Sequence, residues 1–189
     1  MDVKEEFLNI AKRDIHRDGI SDLLYWLGGT DFFTAPASSR HHGAFEGGLA
    51  MHSLNVYRRL KDLNEFYDMD GAGCERESEA VVALFHDLCK IGCYKVSSRN
   101  VKNDKTGQWE KVPFYKFEED FPFGGHGSKS AYLVQYFMSL APEEAAAINC
   151  HMGPWDRQDY GKPGNVYEHN RLAWLLHVAD EAATYIDKT

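Results

Sequence analysis

His86 and Asp87 stand side by side in the run E-A-V-V-A-L-F-H-D-L-C-K-I-G over 79–92, with Lys90 three residues further on. A helix is expected over 80–91, with Val81, Val82, Leu84, Phe85, Leu88, Cys89 and Ile91 around most of its circumference. The helical repeat gathers His86, Asp87 and Lys90 on one side, and Gly92 closes the helix where glycine is favoured. Burying an imidazole, a carboxylate and an ammonium together is costly unless each is compensated. A metal ion on the first two and an anion on the third would do so. His52 falls on the apolar stripe (Leu49, Val56, Leu60, Leu63, Tyr67) of a helix expected over 49–67. Asp180 lies beside the inward stripe (Leu172, Leu176, Ala179, Ala183, Ile186) of another over 170–186. Two histidines and two carboxylates suit a divalent transition metal, with Mn, Fe, Co, Ni and Zn all admissible. His126, between Gly125 and Gly127, and His151, two residues before Gly153, lie at expected helix boundaries, where further ligands could converge.

The remaining segments must position these residues. An amphipathic helix is expected over 4–15 and a short one over 23–27, capped by Ser21 and ended by Gly28-Gly29. The loop over 30–48 carries Arg40, His41, His42 and Glu46, polar side chains suited to ligand contact, and loops of that length are usually functional. A linker over 68–77 leads into the His-Asp helix. After Gly92 the period changes to alternation at 94–96 and 112–117, with a turn-rich stretch at 103–107. This reads as a β-hairpin inserted over about 93–118 between helices. Helices over 128–140 and from Pro142 to about 151 follow, then a Gly/Pro-rich loop over 153–166. No repeat or linker divides the chain, so one domain over 1–189 is expected.

At 189 residues, 43% hydrophobic and 26% charged, the chain has globular proportions. It has no apolar run of about 18 residues, so no membrane partner is expected. The acidic start M-D-V-K-E-E is no signal peptide. Cys74, Cys89, Cys93 and Cys150 lack C-x-x-C spacing, which points to reduced thiols and a cytoplasmic protein. Net charge of −8 argues against broad affinity for polyanions. Residues 90–118 nevertheless hold seven Lys/Arg against three Asp/Glu, net +4, leaving −12 elsewhere. A basic segment on an acidic body points to a specific anionic ligand, with Lys95 and Arg99 of the hairpin and Lys129 among its candidate contacts.

The ordered set H…HD…D, with H-D-L-C-K-I-G around the doublet, resembles the HD-domain phosphohydrolase superfamily. H-H-G-A-F-E-G-G-L-A-M-H-S, G-H-G-S-K-S and L-L-H-V-A-D are similar to small bacterial and phage HD hydrolases. They are also similar to the HD module of certain 3′-to-5′ exoribonucleases. The resemblance covers about 32–185. It implies an all-α bundle around a metal site, here with one inserted β-hairpin. His52, His86, Asp87 and Asp180 would bind a first ion; His126 and His151 match the further histidines of two-metal members, with Asp87 bridging. The glutamate that some nucleotidases carry after the doublet is missing, as is the G-Y-P signature of the cyclic-dinucleotide branch. The implied reaction is phosphoester hydrolysis by metal-activated hydroxide, one or two ions bracing the in-line displacement. Lys90 would neutralise phosphoryl charge, and with a single metal His126 becomes the general acid. The expected substrate is a nucleotide or a related small phosphorylated molecule. A single-stranded nucleic-acid end is the alternative, disfavoured by the acidic body and the lack of a separate nucleic-acid-binding domain. A regulatory module that binds a nucleotide without turning it over is a third reading.

Overall fold

The computed structural model describes residues 2–40, 42–68, 71, 73–119, 121–155 and 162–187. It is mostly helical, with α1 (Val3–Asp14), α2 (Ile20–Gly28), α3 (Gly48–Tyr67) and α4 (Arg76–Phe85) preceding a hairpin of β1 (Tyr94–Lys102) and β2 (Trp109–Phe117). Then come α5 (His126–Phe137), α6 (Pro142–Cys150), α7 (Lys162–His169) and α8 (Arg171–Ala182). Among the described residues no helix is long and apolar enough to cross a membrane, and all four cysteines are free.

α4 is the axis of the bundle. Every residue from Glu79 to Phe85 is buried, as expected of an element with neighbours on all sides. α3, α6 and α8 pack against it and α1 covers it, so its C-terminal end opens into the space between α3, α6 and α8. Close approach is built in at Gly127, where a Cβ would stand 2.3 Å from the Asn149 carbonyl oxygen. The start of α5 is thereby seated on the end of α6. At Gly48 a Cβ would stand 2.0 Å from the Gly43 carbonyl oxygen, which holds the 30–47 loop against the start of α3.

Several boundaries differ from the sequence reading. The helix expected over 80–91 stops at Phe85; Asp87 has φ −109°, ψ 20°, and Leu88–Lys90 form a single 3-10 turn. The break has both a tertiary and a local cause. The Cys89 N–H donates to the Ser130 hydroxyl of α5 at 3.0 Å, and Lys90 N–H bonds back to the Asp87 carbonyl at 3.1 Å. Three-residue spacing brings the Lys90 ammonium onto the Asp87 carboxylate. α2 starts at Ile20 behind Gly19 (φ 89°), not at a Ser21 cap, because the chain there presses on the Phe137 carbonyl. α5 begins at His126 itself and ends at Phe137. The expected loop over 153–166 contains the start of α7; its Pro163 and Gly164 mask a helix whose Val166 and Tyr167 pack on the core. The last helix becomes a π-helical turn at Ala183–Asp187, which leaves Ile186 69% exposed rather than inward. The hairpin is longer than the alternation suggested, two nine-residue antiparallel strands.

One buried carboxylate ties α4 to α6. Glu144 accepts from the Ser78 hydroxyl of α4 at 2.7 Å, from Arg17 at 2.7 and 2.9 Å, and from the Ala141 N–H at 2.8 Å. Burial would raise its pKa, but these donors outweigh burial and hold it below its ordinary value of 4.5. A depressed carboxylate contributes stability above its unfolded pKa and loses it as pH falls. Arg17→Ala is expected to cost about 2–3 kcal/mol at pH 7. Urea titrations from pH 7 to 3.5 should show the wild type losing that advantage as pH falls below about 4.5, the ordinary value, toward the lower pKa of Glu144 in the folded protein. An equal difference at both ends would show that Arg17 acts through packing alone.

Candidate metal centre

Four elements deliver five side chains to one buried place: His52 from α3, His86 and Asp87 from the end of α4, His151 from the end of α6, and Asp180 from α8. Asp87 is central. Its Oδ2 lies 3.4 Å from His86 Nε2, 3.7 Å from His52 Nε2 and 2.7 Å from Lys90 Nζ, and its Oδ1 lies 3.6 Å from His151 Nε2. Asp180 Oδ1 is 3.0 Å from His52 Nε2. Two groups, His52/His86/Asp87 and His86/His151/Asp180, have their ligand atoms within 4.8 Å of one another.

The backbone sets two of these rings. His86 Nδ1–H donates to the Ala83 carbonyl at 2.8 Å, and His151 Nδ1–H to the Ile148 carbonyl at 2.7 Å. Each bond holds the tautomer whose Nε2 carries a lone pair, the form that binds a metal. His86 and His151 Nε2 and Asp87 Oδ1 are buried without a hydrogen-bond partner, and His52 Nε2 has only the Asp180 carboxylate at 3.0 Å. Orphaned buried acceptors are rare and costly, and one or two cations shared between the two groups would satisfy them. The residues present therefore fit a divalent ion with nitrogen and oxygen ligands.

The electrostatics point the same way. Burial opposes ionisation of Asp87, yet Lys90 and His86 hold its pKa well below the ordinary carboxylate range. Burial also opposes ionisation of Asp180, where His52 outweighs it. Burial pushes His52 down, whereas the Asp87 charge draws His86 upward against burial. Lys90 stays an ammonium because Asp87 overcomes the burial that would lower it. The pocket holds anions and attracts positive charge.

The other candidates are dispersed. His42 sits against His52, ring centroids 4.9 Å apart, and burial, then His52, push its pKa down to about 4. Arg40 is exposed, and His41 lies outside the described residues. His126 is absent from both ligand groups. Its Nδ1 faces the Cys89 sulfur at 3.5 Å and its ring stacks with Phe117 at 6.1 Å, beside a cavity of about 230 Å³. Lys129 pairs with Glu119 at 2.9 Å, Lys95 with Glu118 at 2.8 Å, and Arg99 lies over the Phe114 ring.

A family model for the HD domain matches residues 49–185. The chain belongs to the HD-domain family. The resemblance to the HD-domain metal-dependent phosphohydrolases is thereby borne out. Searches of curated proteins and of solved structures return no match. The match spans His52 through Asp180, so every element that feeds the HD-domain cluster lies within it.

Two supporting residues escaped the sequence reading. Ser130 holds the turn after Asp87 through the Cys89 N–H. Tyr94 donates to the Ala37 carbonyl at 3.1 Å, joining the hairpin base to the 30–47 loop. Ser130 stands one helical turn after His126, and Tyr94 four residues after Lys90; spacing from a candidate was the available signal.

Because Asp87 touches every other group except Asp180, Asp87→Ala is expected to empty the site. Elemental analysis of protein purified without chelator should show metal falling at least about tenfold, by analogy with the loss of supporting ligand contacts. Undiminished metal in that variant would contradict the assignment.

Proposed function

We propose that this HD-domain chain is a metal-dependent phosphohydrolase or phosphodiesterase that hydrolyses a phosphoester of a nucleotide or related small phosphorylated substrate. The observation that carries this reading is the set of orphaned Nε2 atoms and the Asp87 oxygen, with a buried ammonium, Lys90, on the same carboxylate. His52, His86, Asp87, His151 and Asp180 would hold one or two divalent ions. Such ions, when bound, supply Lewis acidity toward phosphoryl oxygens and lower the pKa of water toward about 7.

The chain's own residues supply the rest. Lys90 keeps its proton and lies at the edge of the cluster, positioned to neutralise charge on a phosphoryl oxygen. His126 stands outside both ligand groups, and its Nδ1 faces the Cys89 thiol. Its place beside the cluster but outside both ligand groups favours His126 as a proton donor, in its imidazolium form, to the leaving oxygen over His126 as a ligand.

The first test is a screen of nucleotides and generic phosphoesters with Mn²⁺, Co²⁺, Ni²⁺, Zn²⁺ and Mg²⁺. Metal-dependent turnover of at least one phosphoester is expected. Metal binding with no turnover on any would favour a nucleotide-binding module without catalysis. On a substrate that turns over, Lys90→Ala should retain metal and lose about 10²–10³ in kcat, the cost of one charge-stabilising donor. His126→Gln should also keep its metal while losing about 10²–10⁴ in rate. Loss of metal from the His126 variant would make it a ligand instead.

A further inference from the structure

We propose that the hairpin face carrying Phe117, Tyr115, Trp109, Lys111 and Lys102 binds a short single strand of nucleic acid running outward from the metal centre. The inference rests on the phosphohydrolase reading above for the placement of a terminal phosphoester at the His-Asp cluster. It takes up the single-stranded alternative that the acidic body disfavours, because the hairpin is the basic segment of that body.

The register pairs Tyr94 with Phe117, Val96 with Tyr115, Ser98 with Pro113, Asn100 with Lys111 and Lys102 with Trp109. Alternate side chains of a strand share a face, so these five pairs form one side of the hairpin. Its inner end is anchored at the site. The Tyr94 and Phe117 rings are 5.5 Å apart, Phe117 stacks with His126, and Tyr94 bonds to Ala37. Beyond that first pair the face is open, with Val96 76% and Trp109 70% exposed. A lone two-stranded hairpin is marginally stable in water, and between Val96 and Trp109 the face is mostly polar, with Ser98, Pro113, Asn100 and Lys111.

Charge selects the occupant. Glu118 neutralises Lys95 and Lys116 at 2.8 and 2.7 Å, and Arg99 lies over Phe114 on the opposite face. Among the described residues, Lys102, Lys105 and Lys111 have no carboxylate within ion-pairing distance. Aromatic side chains therefore occupy the inner part of the face, and unpaired ammoniums flank Trp109 at its outer end. That combination, rings for bases and cations for the backbone, is how single strands are held. Length separates a strand from a mononucleotide. Successive side chains on one face stand about 6.8 Å apart along the strand, and Trp109 lies about 27 Å along β2 from Phe117. A mononucleotide at the metal centre would reach only the first pair and leave the outer cations unused.

The test measures fluorescence anisotropy of a labelled octathymidylate with the full chain, in parallel with thymidine monophosphate. The octamer is expected to bind and to quench tryptophan fluorescence, and log affinity should fall with log salt at a slope of about −2 for three phosphates. Trp109→Ala and Tyr115→Ala should each weaken binding about tenfold or more. The triple change Lys102→Gln, Lys105→Gln and Lys111→Gln should bring the slope close to zero. Thermal melting identifies any variant that fails to fold, and Trp109→Phe, which keeps a stacking ring, should retain most of the affinity. Octamer binding no tighter than that of the monophosphate overturns the proposal, as does binding indifferent to these substitutions. Concentration-dependent self-association that the triple change abolishes, without octamer binding, would make the face a contact between copies and equally overturn it. Turnover of small phosphoesters by a wild type that ignores the octamer defeats this inference alone. Hairpin-dependent octamer binding without turnover defeats the hydrolase reading alone.

Discussion

The structure depends on keeping one carboxylate charged in the middle of a helical bundle. Asp87 is 2% exposed, and an isolated buried carboxylate would take up a proton rather than remain an anion. It remains one because Lys90 stands at 2.7 Å, while three imidazoles turn their Nε2 atoms into the same space. Those imidazoles are themselves orphaned unless a cation joins them. Each group's burial is therefore tolerable only in the presence of the others, and the packing of α3, α4, α6 and α8 serves that mutual compensation. Outside the cluster the helices are joined by ordinary apolar contact, reinforced by Glu144 between α4 and α6.

The break after Phe85 sets where the three polar side chains point. A continuous helix would have kept His86, Asp87 and Lys90 on one rigid face against a neighbour. The turn instead points Asp87 between its partners and sends the chain out through Gly92, whose N–H donates to Asp31 at 2.9 Å. Gly92 at φ 72° permits that reversal, and the hairpin begins two residues later. The hairpin base thus lies beside the site as a direct result of how the cluster is folded.

Much of this was legible in the sequence because polar residues on apolar stripes are informative. His52 amid Leu49 and Val56, and the His86-Asp87 pair inside a buried run, could be recognised as misplaced unless they shared a partner. The hairpin was visible as a change of period. What the sequence did not disclose were features decided by tertiary contact. The helix break depends on Ser130, which is distant in sequence; α2 starts where Gly19 meets the Phe137 carbonyl; α7 hides behind Pro163 and Gly164. Ile186 follows the helical stripe in sequence, but the π-helical turn carries it outward. His126 matched either a ligand or a general acid by spacing, and its position beside a thiol and an aromatic ring, outside both ligand groups, was not legible in the motif.

The central claim is that the orphaned nitrogens and the Asp87 oxygen are ligands. It is tested most directly by anomalous diffraction at the absorption edge of the bound metal, in crystals of the metal-loaded protein. A peak is expected among His52, His86, Asp87, His151 and Asp180, with ligand atoms at about 2.0–2.2 Å for a zinc-like ion. A peak elsewhere in the chain, or no peak at this cluster after saturation with each candidate ion, would contradict it.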